Sequence, residues 1–221
     1  MQPDSTEQVA VIVRACAEHG AICIPYGGGT SVSCALKLPE NETRMIVVID
    51  MRRMDKIEWI NAENLTASIE AGITGKQLEE ELNALGYTSG HEPDSMELST
   101  LGGWIATNAS GMKKNRYGNI EQIVENVTMI TPQGVVAQHE AMPRLSMGIQ
   151  PQLLLFGSEG NLGLITKATI KIHKLPEINK YGSIVFPTVE KGKQFLYDLM
   201  RAGVLPASVR LVDNIQFRLG S

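Results

Sequence analysis

Apolar residues gather at Val9, Val11, Ile12, Val13, Ala15 and Cys16, which predicts an amphipathic helix over residues 5–19, capped by Ser5 or Thr6 and stopped by Gly20. Residues 21–24 read as a short buried strand and residues 45–50 (MIVVID) as a second, rich in β-branched side chains. A third strand falls at 57–60, and the alternation of apolar and polar positions over 65–71 predicts a half-buried fourth. Thr74 can cap a helix over 75–85 that Gly86 ends. After a turn-rich stretch at 89–95, residues 100–110 (TLGGWIATNAS) make a short helix with small residues on one side. Residues 124–130 and 135–138 flank Thr131-Pro-Gln-Gly134, a hairpin signal. Residues 153–156 lead into a glycine-rich run at 157–163 and a long strand at 164–174. Beyond Pro176, segments 181–186, 189–202 and 207–211 read as a β-α-β unit. Strands in pairs and triplets broken by helices give an α+β fold, not the regular alternation of a doubly wound sheet.

The totals narrow the function. The chain has 221 residues, a net charge of −4 and a pI near 5.6, so nothing in its overall charge asks for a nucleic-acid partner. Cys16, Cys23 and Cys34 are odd in number and lack metal-binding spacing, which argues against a disulfide framework and a metal site and for a reducing compartment. The N-terminus has no secretory signal and reads as though the chain begins in the middle of something.

The glycines carry the chemistry. Gly27-Gly28-Gly29 follows a strand directly and precedes Thr30 and Ser31. Such a run lets backbone N–H groups converge on a phosphate, with the two hydroxyls as further donors. It is neither a GxGxxG fingerprint opening a helix nor a Walker loop, since no GK[ST] follows. Taken alone, it would be a turn between strands. Two more small-residue clusters, Gly102-Gly103-Trp104 with Thr107 to Gly111 and the run from Gly157 to Gly163, make three separate close-approach loops, which suits a long dinucleotide.

The segments IPYGGGTSVS, TLGGWIATNASGMKKNRYGNIEQIV and LFGSEGNLGLIT resemble the FAD-binding domain of the vanillyl-alcohol oxidase and p-cresol methylhydroxylase-type flavoproteins. More narrowly, GHEPDSMELSTLGGWIATNASGMKKNRYGNIE and PASVRLVDNIQF are similar to the alkylglycerone-phosphate synthases. D-lactate and glycolate dehydrogenases share GGGTS and ATNASG but carry other residues at 91–94 and 111–115. The resemblance implies a two-subdomain FAD-binding domain over residues 1–178, followed over 179–221 by the truncated beginning of a ferredoxin-like α/β substrate-binding cap.

By that resemblance the pyrophosphate loop is Pro25, Tyr26, Gly27, Gly28, Gly29, Thr30 and Ser31. Further FAD contacts would come from Asp94, Ser95, Met96, Glu97, Leu98, Ser99 and Thr100, and from Thr107, Asn108, Ala109 and Ser110. A last set is Glu159, Gly160, Asn161, Leu162, Gly163, Leu164 and Ile165. His19, His91, His139 and His173 all lie outside the triple-glycine loop, so FAD is expected to be non-covalent. By the same resemblance Arg210 is the catalytic candidate, since it falls in the segment that holds the family's functional arginine, and a planar guanidinium can bind oxygen pairs of a phosphate or an oxyanion; read from spacing alone it would be a strand arginine paired with Asp213 or another carboxylate. His91 is either an active-site base or a surface or capping histidine; Lys113 and Lys114 either draw in an anionic head group or are solvated surface; Trp104 is a packing anchor.

The implied activity is a redox-neutral exchange of the acyl group of acyl-dihydroxyacetone phosphate for a long-chain fatty alcohol, forming the ether bond of ether lipids, with the difficult chemistry done by the cofactor. A peroxisomal homodimer with peripheral membrane association goes with it. The family's later tyrosine and histidine cluster lies beyond Ser221, so the chain reads as a fragment that binds FAD without turning over. Two alternatives are an FAD-linked D-2-hydroxy-acid dehydrogenase and an FAD-binding fragment without catalysis.

Overall fold

The computed structural model describes residues 1–38, 40–137, 146, 148 and 150–219. In chain order these form α1 (Thr6–Glu18), β1 (Ile22–Tyr26), β2 (Ile46–Asp50), β3 (Ile57–Asn61), β4 (Thr66–Glu70), α2 (Gly75–Ala84) and β5 (Tyr87–Thr88). Then come α3 (Leu101–Thr107), α4 (Lys114–Tyr117), α5 (Ile120–Ile123), β6 (Val124–Thr131), β7 (Gly134–Val136) and a 3-10 turn at Pro151–Leu154. β8 (Leu164–Lys171), β9 (His173–Lys174), α6 (Val189–Arg201) and α7 (Asn214–Leu219) complete the order. The mixed helix and sheet content agrees with the α+β reading. Among the described residues no helix is long and apolar enough to cross a membrane.

Local signals set the helix ends. Ser5 Oγ accepts from the Gln8 N–H at 3.3 Å and starts α1. Thr74 Oγ1 does the same for Gln77 at 3.3 Å and starts α2. The centre is a five-stranded antiparallel sheet in the order β3-β4-β8-β6-β7. β1 and β2 form a separate parallel pair, with Pro25 opposite Ile49.

Helices cover both faces of the large sheet. Leu78 and Leu82 of α2 and Leu101, Trp104 and Ile105 of α3 share one core with Ala67, Ile69, Val127, Met129, Ala168 and Ile170. Val9 and Val13 of α1 share a second core with Ile49, Met51, Met54, Ile130 and Leu164. Met129 and its neighbour Ile130 thus enter different cores, as do Ile165 and Leu164, because successive strand residues point to opposite faces.

Three element readings need correction. The strand at 65–71 is not half-buried: Thr66 and Ser68 are buried along with Ala67 and Ile69, because β4 lies between β3 and β8 and both its faces are covered. Ser68 keeps its hydroxyl satisfied there by donating to Glu58 at 2.7 Å. The long strand at 164–174 breaks at Ile172, whose N–H turns to the Leu65 carbonyl at 2.8 Å, and β9 leaves the sheet to pair with β5. Of the β-α-β unit only the helix forms. Segments 181–186 and 207–211 form no strand and pair with none among the described residues, and a strand without a partner leaves its backbone donors and acceptors to water. Phe186 and Leu211 pack against Gly192 of α6 instead. The hairpin at 124–136 forms as read, though Gln138 of its second arm lies outside the described residues.

Candidate functional site

Three loops enclose a cleft of about 450 Å³. The first leaves β1 as the triple-glycine run, the second is the approach to α3 together with its C-terminal end, and the third enters β8. They hold one another in place. A Cβ on Gly28 would lie 2.0 Å from the Leu98 carbonyl oxygen, and one on Gly27 would lie 2.4 Å from Thr100 Oγ1. Both glycines are therefore demanded by the approach of the 98–100 segment, whereas the sequence pattern ascribes them to the approach of a ligand. Gly29 adds a positive φ of +66°. The N–H groups of Gly28, Gly29 and Thr30 find no acceptor among the described residues and stay available to a ligand.

Thr100 caps α3 by accepting from the Gly103 N–H at 3.3 Å. At the other end of α3, Asn108 turns left-handed at φ 50° and ψ 52°. The third loop hangs from this helix: the Gly157 N–H donates to the Ile105 carbonyl at 3.1 Å and the Glu159 N–H to the Ala106 carbonyl at 2.9 Å. Ser158 Oγ is buried with no hydrogen-bond partner among the described residues, while Ser158 itself lines the cleft. A buried hydroxyl without a partner costs free energy until something supplies one.

All of Pro25, Tyr26, Gly27, Gly28, Gly29, Thr30 and Ser31 line the cleft, as do Thr107, Asn108, Ala109 and Ser110. Of the stretch 94–100 only Asp94, Ser99 and Thr100 do so; Ser95, Met96, Glu97 and Leu98 do not. Of the stretch 159–165, Glu159, Gly160, Gly163 and Ile165 line it, and Asn161, Leu162 and Leu164 do not. Leu164 faces the second core instead. Arg210 is exposed and outside the cleft lining, and among the described residues no ion pair joins it to Asp213 or another carboxylate; the Asp213 carboxylate caps α7 by accepting from Ile215 and Gln216, each at 2.8 Å.

Ser33, Ser158, Gly103, Trp104 and the apolar Met51 and Ala71 line the cleft although the FAD-contact stretches implied by the resemblance leave them out. Ser33 and Ser158 stand within the motifs IPYGGGTSVS and LFGSEGNLGLIT, two residues after and one residue before the implied contact stretches. Met51 and Ala71 give no local sign.

His91 is neither surface nor capping. It is 2% exposed, stands edge-on to Trp104 with centroids 5.1 Å apart, and neither ring nitrogen has a partner among the described residues. Burial pushes its pKa down to about 4, so the ring is neutral at pH 7. The turn before it is fixed by Glu79 of α2, whose carboxylate accepts from Thr88 Oγ1 at 2.7 Å, from the Ser89 N–H at 2.9 Å and from Ser89 Oγ. Lys113 is not free surface either: it pairs with Glu92. Trp104 is the anchor expected of it, 2% exposed and donating from Nε1 to Ser99 Oγ at 2.9 Å. His139 lies outside the described residues.

A family model described as an FAD binding domain matches residues 1–139. Alkyldihydroxyacetonephosphate synthase of Caenorhabditis elegans is 47% identical over 218 residues, which cover 99% of this chain and 36% of that protein. The mitochondrial D-lactate dehydrogenase (cytochrome) of Kluyveromyces lactis is 30% identical over 220 residues, 99% of this chain and 38% of that protein. A solved alkyldihydroxyacetonephosphate synthase structure superposes with a TM-score of 0.92 at 37% identity, covering 100% of this chain and 40% of that one. The chain thus spans little more than a third of the curated relatives it matches.

The cleft fits FAD, the cofactor that the matching family model names. Free N–H groups at 28–30 suit a pyrophosphate, and the buried Ser158 hydroxyl awaits a polar partner. Interlocked loops, unspent donors and the family match over residues 1–139 lead to one conclusion: the chain belongs to the FAD-binding-domain family.

Proposed function

We propose that the chain is the flavin-holding part of an alkylglycerone-phosphate synthase, in which the acyl group of acyl-dihydroxyacetone phosphate is exchanged for a long-chain fatty alcohol without net oxidation. The observation that carries this is the 47% identity to a synthase over nearly the whole chain, against 30% to a D-lactate dehydrogenase over the same span. Residues 1–178 form the FAD module and 179–221 begin the substrate cap. FAD, when bound, supplies the electron-accepting ring system that lets the ether bond replace the ester.

The chain's own groups bind and orient. The N–H groups of Gly28, Gly29 and Thr30 hold the pyrophosphate, and Asp94, Ser99 and Thr100, Thr107 to Ser110, and Glu159, Gly160, Gly163 and Ile165 surround the rest of the dinucleotide. Attachment is non-covalent, since no histidine stands in the triple-glycine loop. Arg210 binds the substrate phosphate or a developing oxyanion once the cap is complete. The longer protein works as a peroxisomal homodimer that touches the membrane peripherally.

The test is spectroscopic. The chain is purified with FAD, freed of loose flavin and scanned before and after acid precipitation. A flavin band that moves to the supernatant, and that neither D-lactate nor glycolate bleaches, is the expected result. A band that stays in the pellet overturns non-covalent attachment, and bleaching by D-lactate moves the assignment to the dehydrogenases. Transfer of labelled fatty alcohol by the full-length protein, with light scattering and liposome flotation, tests the activity, the dimer and the membrane contact.

A further inference from the structure

Ser33 Oγ lies 2.8 Å from Glu159 Oε1 and 2.6 Å from Ser31 Oγ, and all three residues line the cleft. These contacts fix a direction. A carboxylate has no proton to give, so the Ser33 hydroxyl donates to Glu159. Each hydroxyl carries a single hydrogen. The proton between the two serine oxygens therefore comes from Ser31. Ser31 donates to Ser33, Ser33 donates to Glu159, and Ser31 is left with lone pairs and no hydrogen for the cleft.

That polarity matters for what Ser31 can recognise. Phosphate oxygens only accept, so a Ser31 committed in this way offers them nothing, and a carboxylate two groups away adds no attraction. The unspent N–H groups of Gly28, Gly29 and Thr30 are suited to phosphate instead. A dinucleotide also carries donors, in its sugar and polyol hydroxyls and its exocyclic amine. Glu159 is well anchored to orient an acceptor for them, since its own N–H is held by the Ala106 carbonyl at 2.9 Å and its contact with Ser33 spans 126 residues of sequence.

We propose that Glu159, acting through Ser33, is a positioning residue that makes Ser31 a hydrogen-bond acceptor for a hydroxyl or amine of the bound dinucleotide, which reverses the donor role the sequence pattern assigns to that hydroxyl. This rests on the FAD reading of the cleft. The test is a double-mutant cycle on the 221-residue chain, read as the FAD dissociation constant by quenching of flavin fluorescence. Ser31→Ala and Ser33→Ala each weaken binding about fivefold, the worth of one hydrogen bond. The double variant binds no more weakly than Ser31→Ala alone, because Ser33 has no effect except through Ser31. If Ser31 donated to phosphate, Ser33→Ala would release its hydrogen and binding would stay level or tighten; that result overturns the proposal. So do additive losses, which would mean that Ser33 only stiffens its loop. An unmodified chain that takes up no FAD overturns the cofactor reading itself, whereas uptake with a flat Ser33→Ala overturns the relay alone.

Discussion

Lowering the pH below neutrality should weaken this fold through His91. Burial without a hydrogen-bond partner drops the ring's pKa from 6.5 to about 4. Unfolding returns it to its ordinary value. Between those two pH values the unfolded chain holds more protons than the folded one, so stability is complete above pH 6.5 and drains away as the pH falls toward 4. The whole gap is worth on the order of 3 kcal/mol, of which about 2 kcal/mol is gone by pH 5. That is large beside the roughly 5–15 kcal/mol that holds a domain together. Asp50, held down to about 2 mainly by its hydrogen bonds from Arg52, acts in a different window: its contribution is present above 3.8 and lost below it. Burial, with Arg116 and Lys171 nearby, also lowers the pKa of His173, so the effect of His91 has to be taken as a difference. Urea unfolding followed by circular dichroism at pH 7, 6 and 5 on the unmodified chain and on His91→Leu provides it. The unmodified chain should lose about 2 kcal/mol more than the variant between pH 7 and 5. Parallel losses would refute the argument, because they would mean that the buried ring keeps a polar partner or protonates freely while folded.

Other expectations follow from the same contacts. Gly28→Ala forces a Cβ onto the Leu98 carbonyl oxygen, so unfolding in urea should come about 1–3 kcal/mol earlier and FAD should no longer be retained on a desalting column. Glu79→Ala strips the acceptor from Thr88 and Ser89; we expect about 2–3 kcal/mol of lost stability and a shifted flavin spectrum, since that turn leads to Pro93 and Asp94 of the cleft wall. Cys34 is exposed, whereas Cys16 is buried and burial beside Cys16 pushes the Cys23 thiol up to about 12. One thiol per chain should therefore react quickly with an aromatic disulfide reagent at about pH 7.5, and Cys34→Ser should abolish that phase.

What the sequence revealed of the cleft depended on how local the constraint was. Ser5 and Thr74 act within three residues, so the starts of α1 and α2 could be read directly. The three small-residue loops were legible for a similar reason: each concentrates its requirement for glycine in one short run. Their causes were not. Gly27 and Gly28 are forced by a segment some seventy residues away, a contact between loops that no local pattern reports. Ser33 is tied to Glu159 across 126 residues and faces the cleft, outside the implied pyrophosphate loop that ends at Ser31. Burial of β4 on both faces likewise depends on what surrounds it inside the sheet and not on its own alternation. Segments 181–186 and 207–211 show the converse. Their apolar residues favour a strand, but a strand is a relation between two segments, and neither finds a partner among the described residues. The same holds for Ser31, where a hydroxyl next to a glycine run suggests a phosphate donor until Glu159 and Ser33 decide which way its hydrogen points. Residue type sets what a side chain can do, and its distant neighbours decide which of those options remains.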